Sequence, residues 1–539
     1  AQAWISKPSA GYPRDGYRIP ITYVHTSFLN SICMANSHLF AIVALLAVRC
    51  TAVMFSPPKA STWPFSDALW HPKKPTSSAT QKSEFGQAEY GEVRQTMKNY
   101  GDVQYTGDIK MGGQTVKAVI DTGSFELLVF SVNCSLCGTR KHLYDGSKSA
   151  HHSTDGFDKM HNYGSGSTDS IESFDDLTIG PMKVSNQVFW EVYDADMPIL
   201  EDDSFASIFG IGPPASALTF AKDDAREIHE QLEDLKKSGA RITDEMKEIV
   251  KSYDDAEKHA LNSTSVVDNL ELSGMSICMG KESNSDGYIV WNDTASSRHP
   301  EKFLEIKVVG DTYWSASLSG VKLGASSTGM SEEIIGCKDK CSVIIDSGTS
   351  LIAAPPDIVW KVEDIIDDWV FAGGNCDDLS KLPDLVFYLN GNKMTLPPQS
   401  YVGVATGFDE WALKKSALVR LPSARRNVQG SLCTSLLMEI DVDTPQGPMW
   451  ILGMPFFREY YTSFTFRKGH PFRQPASMSF SRATDTCQPG EHPGSKNINL
   501  HASTASKRAQ LNVDLSKVRV PKHVRGPHLV RNLLGAAKH

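Results

Sequence analysis

Val119-Ile120-Asp121-Thr122-Gly123-Ser124 recurs further along the chain as Ile344-Ile345-Asp346-Ser347-Gly348-Thr349-Ser350. Each copy is an apolar run that enters Asp-(Thr/Ser)-Gly-(Ser/Thr). Downstream of each lies a second apolar run closed by glycine, Ile208-Phe209-Gly210-Ile211-Gly212 in one case and Trp450-Ile451-Leu452-Gly453 in the other. The order strand, Asp-hydroxyl-Gly turn, apolar-Gly strand thus occurs once in each half, as expected of a duplicated unit. One Asp-(Thr/Ser)-Gly alone is an ordinary β-turn sequence. Two copies with apolar leads and apolar-Gly followers are a specific signal.

The spacing has a chemical reason. A buried carboxylate must have its lone pairs satisfied, and a hydroxyl and a glycine N–H in the same tight turn can do this. Two such turns meeting at a pseudo-twofold axis would set Asp121 and Asp346 side by side. Neighbouring carboxylates cannot both ionise easily and share one proton. One can then take a proton from water while the other gives one to a carbonyl oxygen.

Outward from the repeat, the texture is that of many short strands. Alternating apolar runs punctuated by Gly and Asn begin near Val103 and include 116–120, 127–130, 177–179 and 188–192. Residues 221–260 interrupt them, with twenty charged residues among forty. Ile228, Leu232 and Leu235 share one helical face, Ser238-Gly239 breaks the run, and Thr243 caps a second helix with Met246, Ile249, Val250 and Tyr253 as its stripe. This predicts an inserted helical hairpin, serving as a solvated decoration or as a partner-binding or regulatory element. Strand texture resumes at Leu270 and runs to about Phe480.

The two ends differ from the body. Residues 39–48 (LFAIVALLAV) are an apolar run of signal-peptide length following Met34, with small residues at Cys50-Thr51-Ala52 for cleavage and Arg49 arguing against a longer anchor. Residues 53–98 read as a linker or prosegment. Residues 488–539 carry nine Lys/Arg and two Asp/Glu, a net of +7 on a chain of −9, which leaves the rest near −16. Such a tail folds back on the acidic body, binds an anionic surface, or is disordered and trimmed, and disorder is the default. The divisions are therefore 1–52, 53–98, 99–270 with the insertion, 271–487, and 488–539.

Two of the ten cysteines, Cys33 and Cys50, fall in or before the targeting segment, and eight remain for the body. An even number, with sequons at Asn133, Asn262 and Asn292, fits the secretory pathway. Cys134/Cys137 and Cys337/Cys341 could together make a zinc site, but the pairs are far apart in sequence and disulfides are the preferred reading. The net negative charge implies no general affinity for nucleic acid. Gly-x-Ser-x-Gly, His-Glu-x-x-His and phosphate-loop motifs are absent.

At these residues the chain resembles the pepsin-like aspartic proteases, and among them most the plasmepsin-type enzymes of parasites, over residues 105–482. Tyr105-Thr106-Gly107-Asp108-Ile109 resembles the family's mature first strand. Tyr163-Gly164-Ser165-Gly166-Ser167 resembles its flap, Tyr313-Trp314 a cleft-lining strand, and Trp450-Ile451-Leu452-Gly453 with Tyr460-Tyr461 the carboxy-terminal signature. The resemblance implies a mainly β, bilobal fold with pseudo-twofold lobes and a cleft between them. It implies that Asp121 and Asp346 hold the attacking water and that Ser124 and Thr349 bond the outer carboxylate oxygens. Gly123 and Gly348 would contact the substrate backbone, and Tyr163, with Gly164 and Ser165, would close over it. It implies disulfides Cys134–Cys137, Cys337–Cys341 and Cys376–Cys433, which leaves Cys278 and Cys487 as a remaining pair.

The expected activity is an aspartic endopeptidase made as a zymogen and acting at acidic pH on extended polypeptides with apolar side chains at the scissile bond. No metal or organic cofactor is expected. The expected partners are polypeptide substrates and the chain's own prosegment, where Lys73 and Lys74 are either plugs for the aspartates or ordinary solvated lysines. A monomer is expected, with membrane contact only through the signal segment or basic tail, in a secretory or acidic vesicular lumen. The rival is a pepsin-like fold that binds peptides without cleaving them, but such proteins lose an aspartate, a motif glycine or the flap tyrosine, and all are present here. Three departures from the pattern stand out. Leu128 occupies the place of the Trp that usually holds the flap tyrosine. The Cys134–Cys137 loop is tight. Phe464-Thr465-Phe466-Arg467 lacks the usual Asp and runs into a Pro-rich stretch.

Overall fold

The apolar runs ahead of the two aspartates form buried strands that lie parallel to the apolar-Gly runs found with them. In a computed structural model, which describes residues 91–138, 142–197, 199–200, 204–324, 332–406, 432–467, 474–495, 510–514 and 517–519, strand Gln114–Asp121 pairs in parallel with Ser207–Gly210, setting Asp121 opposite Gly210. Strand Cys341–Ile345 likewise pairs in parallel with Gly447–Leu452, setting Ile345 opposite Leu452. Parallel strands covered on both faces read as continuous apolar runs rather than alternating ones, which is why both leads are so apolar. In each half a short strand past the aspartate turn, Leu127–Phe130 or Ile352–Ala354, runs antiparallel to the apolar-Gly strand. The halves thus repeat one topology.

The fold is mainly β, with two lobes. Thirteen strands form one sheet that carries the first motif, and nine form a second that carries the other, among the described residues. Strand Val93–Tyr100 lies between Gly287–Trp291 and Gln104–Met111 in the larger sheet. The β structure therefore starts ten residues earlier than the sequence texture indicates, within the stretch read as prosegment. Only Met97 of this strand is fully buried, so its polar composition concealed it.

The insertion is a helical hairpin with helices α1 (Ser216–Lys237) and α2 (Asp244–Asn262). Gly239 takes φ +78 after the first helix, and Thr243 Oγ1 accepts from the Met246 N–H at 3.3 Å to cap the second. Ile228, Leu232 and Val250 form its small core. Helix α1 begins at Ser216, earlier than its charge content indicates, because its first turn is uncharged and buried in part. Phe220 stacks on Phe125, beside the first motif, at 5.4 Å and meets Tyr313 of the other half at 5.4 Å.

Among the described residues four disulfides are formed: Cys134–Cys137, Cys337–Cys341, Cys376–Cys433 and Cys278–Cys487. The apolar run 39–48, Lys73 and Lys74 lie outside the described residues. Among the described residues no helix is long and apolar enough to cross a membrane.

The expectation of a disordered tail is corrected in part. Asn512–Asp514 is a strand, parallel to Val402–Thr406, in a three-stranded sheet. Leu511 and Val513 are buried in an apolar cluster with Val103, Ile344, Leu351 and Leu436. Alternate apolar residues bury one face of this strand, and that gain outweighs the composition of the tail.

Candidate active site

Asp121 ends its strand, Asp346 directly follows its own, and the two are in mutual contact and nearly fully buried. Each is held by its own turn. Gly123 N–H donates to Asp121 Oδ1 at 2.9 Å and Ser124 Oγ to Oδ2 at 2.9 Å. Gly348 N–H donates to Asp346 Oδ1 at 2.7 Å and Thr349 Oγ1 to Oδ2 at 2.6 Å. The glycines also let the halves approach. A Cβ on Gly123 would come within 2.5 Å of the Asp346 carboxyl carbon, and one on Gly348 would run into the Asp121 carboxylate.

The hydroxyl directly after each aspartate does something the sequence did not reveal: it crosses to the other half. Ser347 N–H donates to Thr122 Oγ1 at 2.9 Å and Thr122 N–H to Ser347 Oγ at 3.1 Å. Each hydroxyl in turn donates to the carbonyl ahead of the opposite aspartate, Thr122 to Ile345 at 2.9 Å and Ser347 to Ile120 at 2.7 Å. The apolar-Gly runs support the turns from behind. Ile211 N–H donates to the Asp121 carbonyl at 2.8 Å and Gly212 N–H to that of Ser124 at 2.7 Å. In the second half Met454 N–H donates to the Thr349 carbonyl at 3.0 Å. A side chain on Gly212 or Gly453 would strike these carbonyls.

Burial, and then the charge of Asp121, push the Asp346 carboxyl up to about 7 against the opposing bonds from Thr349 and Gly348. The pair is built to keep a proton on Asp346 under conditions that ionise ordinary carboxyls.

Tyr163 ends strand Ser153–Tyr163, and Gly166–Ile179 returns from the turn at Gly164 and Ser165, forming the expected hairpin. Tyr163 is buried, and burial, then the charges of Glu126 and Asp121, hold its phenol well above its ordinary value. Leu128 is buried opposite Trp190. It is this Trp that joins the hairpin, through Glu126: Trp190 Nε1 donates to Glu126 Oε1 at 3.1 Å. Lys159 Nζ reaches the same oxygen at 2.6 Å, and His161 Nε2 lies 3.2 Å from Oε2. A carboxylate two residues past Ser124 therefore grips the hairpin strand. Sequence reasoning missed it; the signal available was an acidic residue inside the apolar stretch that follows the motif.

Helix α2 also docks on this hairpin. His259 Nδ1 is 3.1 Å from Glu172 Oε2, and its ring stacks on Phe157 at 3.7 Å. Burial first, then Asp155, raises Glu172 to about 7. Asp155, Glu172 and His259 are the residues among those described whose ligand atoms lie close enough together to hold a metal ion, and they lie outside the aspartate pair. Tyr313 is half-buried against Phe220.

One further residue reaches the pair. Arg519, from the basic tail, is buried with Nη2 3.6 Å from Asp121 Oδ2.

The sequence from residue 104 to 470 matches the family model described as eukaryotic aspartyl protease. The chain belongs to the eukaryotic aspartyl proteases. It is 27% identical to cathepsin D of Clupea harengus over 69% of this chain and 80% of that protein. It is 27% identical to renin of Rattus norvegicus over 68% and 78%, and 24% identical to pepsin A of Bos taurus over 69% and 83%. These relatives carry the pepsin-like family assignment and the enzyme class. They lend nothing to the narrower likeness to plasmepsin-type enzymes.

Proposed function

We propose that this pepsin-like protease is an acid-acting endopeptidase in which Asp121 and Asp346 activate one water. The observation that carries the reading is the matched pair of buried carboxyls, each bonded by its own Gly N–H and hydroxyl, with Asp346 raised to about 7. Asp121 takes a proton from water as its oxygen bonds to the scissile carbonyl carbon, and Asp346 gives its proton to the carbonyl oxygen. The resulting diol collapses as the C–N bond breaks. Asp121 then hands its proton to the leaving nitrogen, and Asp346 recovers one from the diol hydroxyl, so the pair ends singly protonated. The hydrogen bonds to both carboxyls are present before substrate arrives, so little reorganisation is needed in the transition state.

Gly123 and Gly348 leave room for a peptide backbone beside the pair. Tyr163, Gly164 and Ser165 close over it and exclude water, and Tyr313 contributes to the wall. The substrates are extended polypeptides with apolar side chains at the scissile bond. Synthesis as a zymogen, with residues 53–98 as prosegment, and a secretory or acidic vesicular lumen complete the reading.

The test is cleavage of a denatured protein across pH by wild type, by Asp121→Ala, and by wild type with a pepstatin-type inhibitor. Cleavage in mildly acidic buffer abolished by both is expected. Cleavage that survives Asp121→Ala would refute the reading.

A further inference from the structure

Arg519 lies where a substrate would have to be. Its backbone exchanges two hydrogen bonds with Ser350, the residue after the second motif: Arg519 N–H donates to Ser350 Oγ at 2.7 Å, and Ser350 N–H to the Arg519 carbonyl at 3.2 Å. Its side chain turns to the other half, where the guanidinium lies 3.6 Å from Asp121 Oδ2 and 5.6 Å from the Phe205 ring centre. The Arg519 backbone thus pairs with one lobe while its cation lies against the carboxylate that must bind water.

The preceding residues explain how it stays there. Val404 N–H donates to the Leu511 carbonyl at 2.8 Å, Asp514 N–H to the Gly101 carbonyl at 3.0 Å, and Asn512 N–H to Asp102 Oδ2 at 3.1 Å. With Leu511 and Val513 fully buried, the strand is an anchor. The anchor is distinct from the residue that meets the pair. A tethered segment also acts at an effective concentration up to the millimolar range, so modest contacts suffice for occupancy. The contact at the pair is itself incomplete: the charges are 3.6 Å apart, and Arg519 Nη1 makes no hydrogen bond among the described residues. A buried cation with unsatisfied N–H groups is costly, so Arg519 is displaceable where the strand is not.

From this we infer that tail residues 510–514 and 517–519 form an autoinhibitory element in which the chain's own tail occupies the cleft and Arg519 blocks Asp121. The inference rests on the protease reading for its consequence, although occupancy of the cleft does not require turnover.

The test uses the full chain in three forms: wild type, Arg519→Gln and Arg519→Lys. Two readouts are compared, the initial rate of cleavage of a short fluorogenic peptide and the affinity for a pepstatin-type inhibitor. A cleft freed from its occupant gains in apparent affinity by the inverse of the fraction that was free. Arg519→Gln is therefore expected to raise the rate and tighten the inhibitor by similar factors, about tenfold or more, while Arg519→Lys stays near wild type. Equal rates and equal affinities for wild type and Arg519→Gln would overturn the inference. Tighter inhibitor binding by Arg519→Gln with no cleavage by any form would uphold it and refute the protease reading instead. Hydrogen exchange on the unmodified chain gives a measurement free of folding effects. Saturating inhibitor should deprotect the Arg519 and Ser350 amides, and unchanged protection with inhibitor bound would overturn the inference.

Discussion

Thr122 and Ser347 hold one another across the two halves of the molecule, each accepting the other's backbone N–H and donating its hydroxyl to the strand beyond. All four bonds are buried. Removing either hydroxyl strands an N–H and a carbonyl of the opposite half, at about 1–3 kcal/mol for each buried group left without a partner. Thr122→Ala and Ser347→Ala should each lower the midpoint of denaturant unfolding. They should also slow catalysis, because the relative position of the carboxyls depends on these bonds. Thr122→Ser keeps the hydroxyl and should retain most of both. An unchanged unfolding midpoint in both alanine variants would remove the cross-link from the account.

In the proposed mechanism the proton on Asp346 sets the pH profile. Its carboxyl is raised to about 7 by burial first and the Asp121 charge second, so the singly protonated pair persists below that pH and is lost as pH rises through it. Activity should therefore fall on the alkaline side near neutrality. Stability follows the same sign. The native state holds this proton where an unfolded carboxyl has lost it, so the contribution of Asp346 declines as pH rises from the ordinary carboxylate range to about 7. Asp346→Asn should be more stable than wild type at neutral pH, with the gap closing in acid. A gap that does not vary with pH, measured by thermal unfolding, would contradict the shift.

Glu126 holds the hairpin through Lys159 and His161 and meets the Trp190 indole. Glu126→Gln keeps the shape and removes the charge. In the proposed mechanism the hairpin closes after substrate enters, so KM should rise several-fold with a smaller change in kcat. Steady-state kinetics on a short peptide separate the two, and a loss confined to kcat would place Glu126 in the chemistry instead.

Gly348→Ala and Gly123→Ala drive a methyl group into the opposite carboxylate. Either should reduce activity by at least about a hundredfold, as expected when reacting groups shift by about 1 Å, while inhibitor binding weakens in parallel. Near-normal kcat/KM in both would show that the halves can separate without cost.

The carboxyl pair and its turn partners were legible because that chemistry is local: Asp121 is bonded by residues two and three places on, and Asp346 likewise. What spans the halves was not legible. The Thr122–Ser347 bonds join residues more than two hundred positions apart, and no local pattern marks them. The hairpin tether was missed for a related reason. Leu128 stands at the place of the missing Trp, while Trp190 reaches the site from a strand distant in sequence by way of Glu126. Helix α1 starts ahead of its charged stretch because its first five residues are uncharged and set Phe220 against Phe125 and Tyr313. In the tail, net charge pointed to disorder, yet Leu511-Asn512-Val513-Asp514-Leu515 alternates apolar and polar residues, the mark of a half-buried strand. Composition is a property of the whole segment, and these few residues fold against it.

The proposed mechanism shares one function between Asp121 and Asp346. The direct measurement is kcat/KM on a single peptide for Asp121→Asn, Asp346→Asn and the double variant, each in the wild-type and Arg519→Gln chains. Residues acting as one unit are not additive. Each single variant should lose at least about a thousandfold, and the double variant should be no slower than the worse single. A single variant that retains substantial activity, or two losses that multiply in the double, would contradict a shared pair.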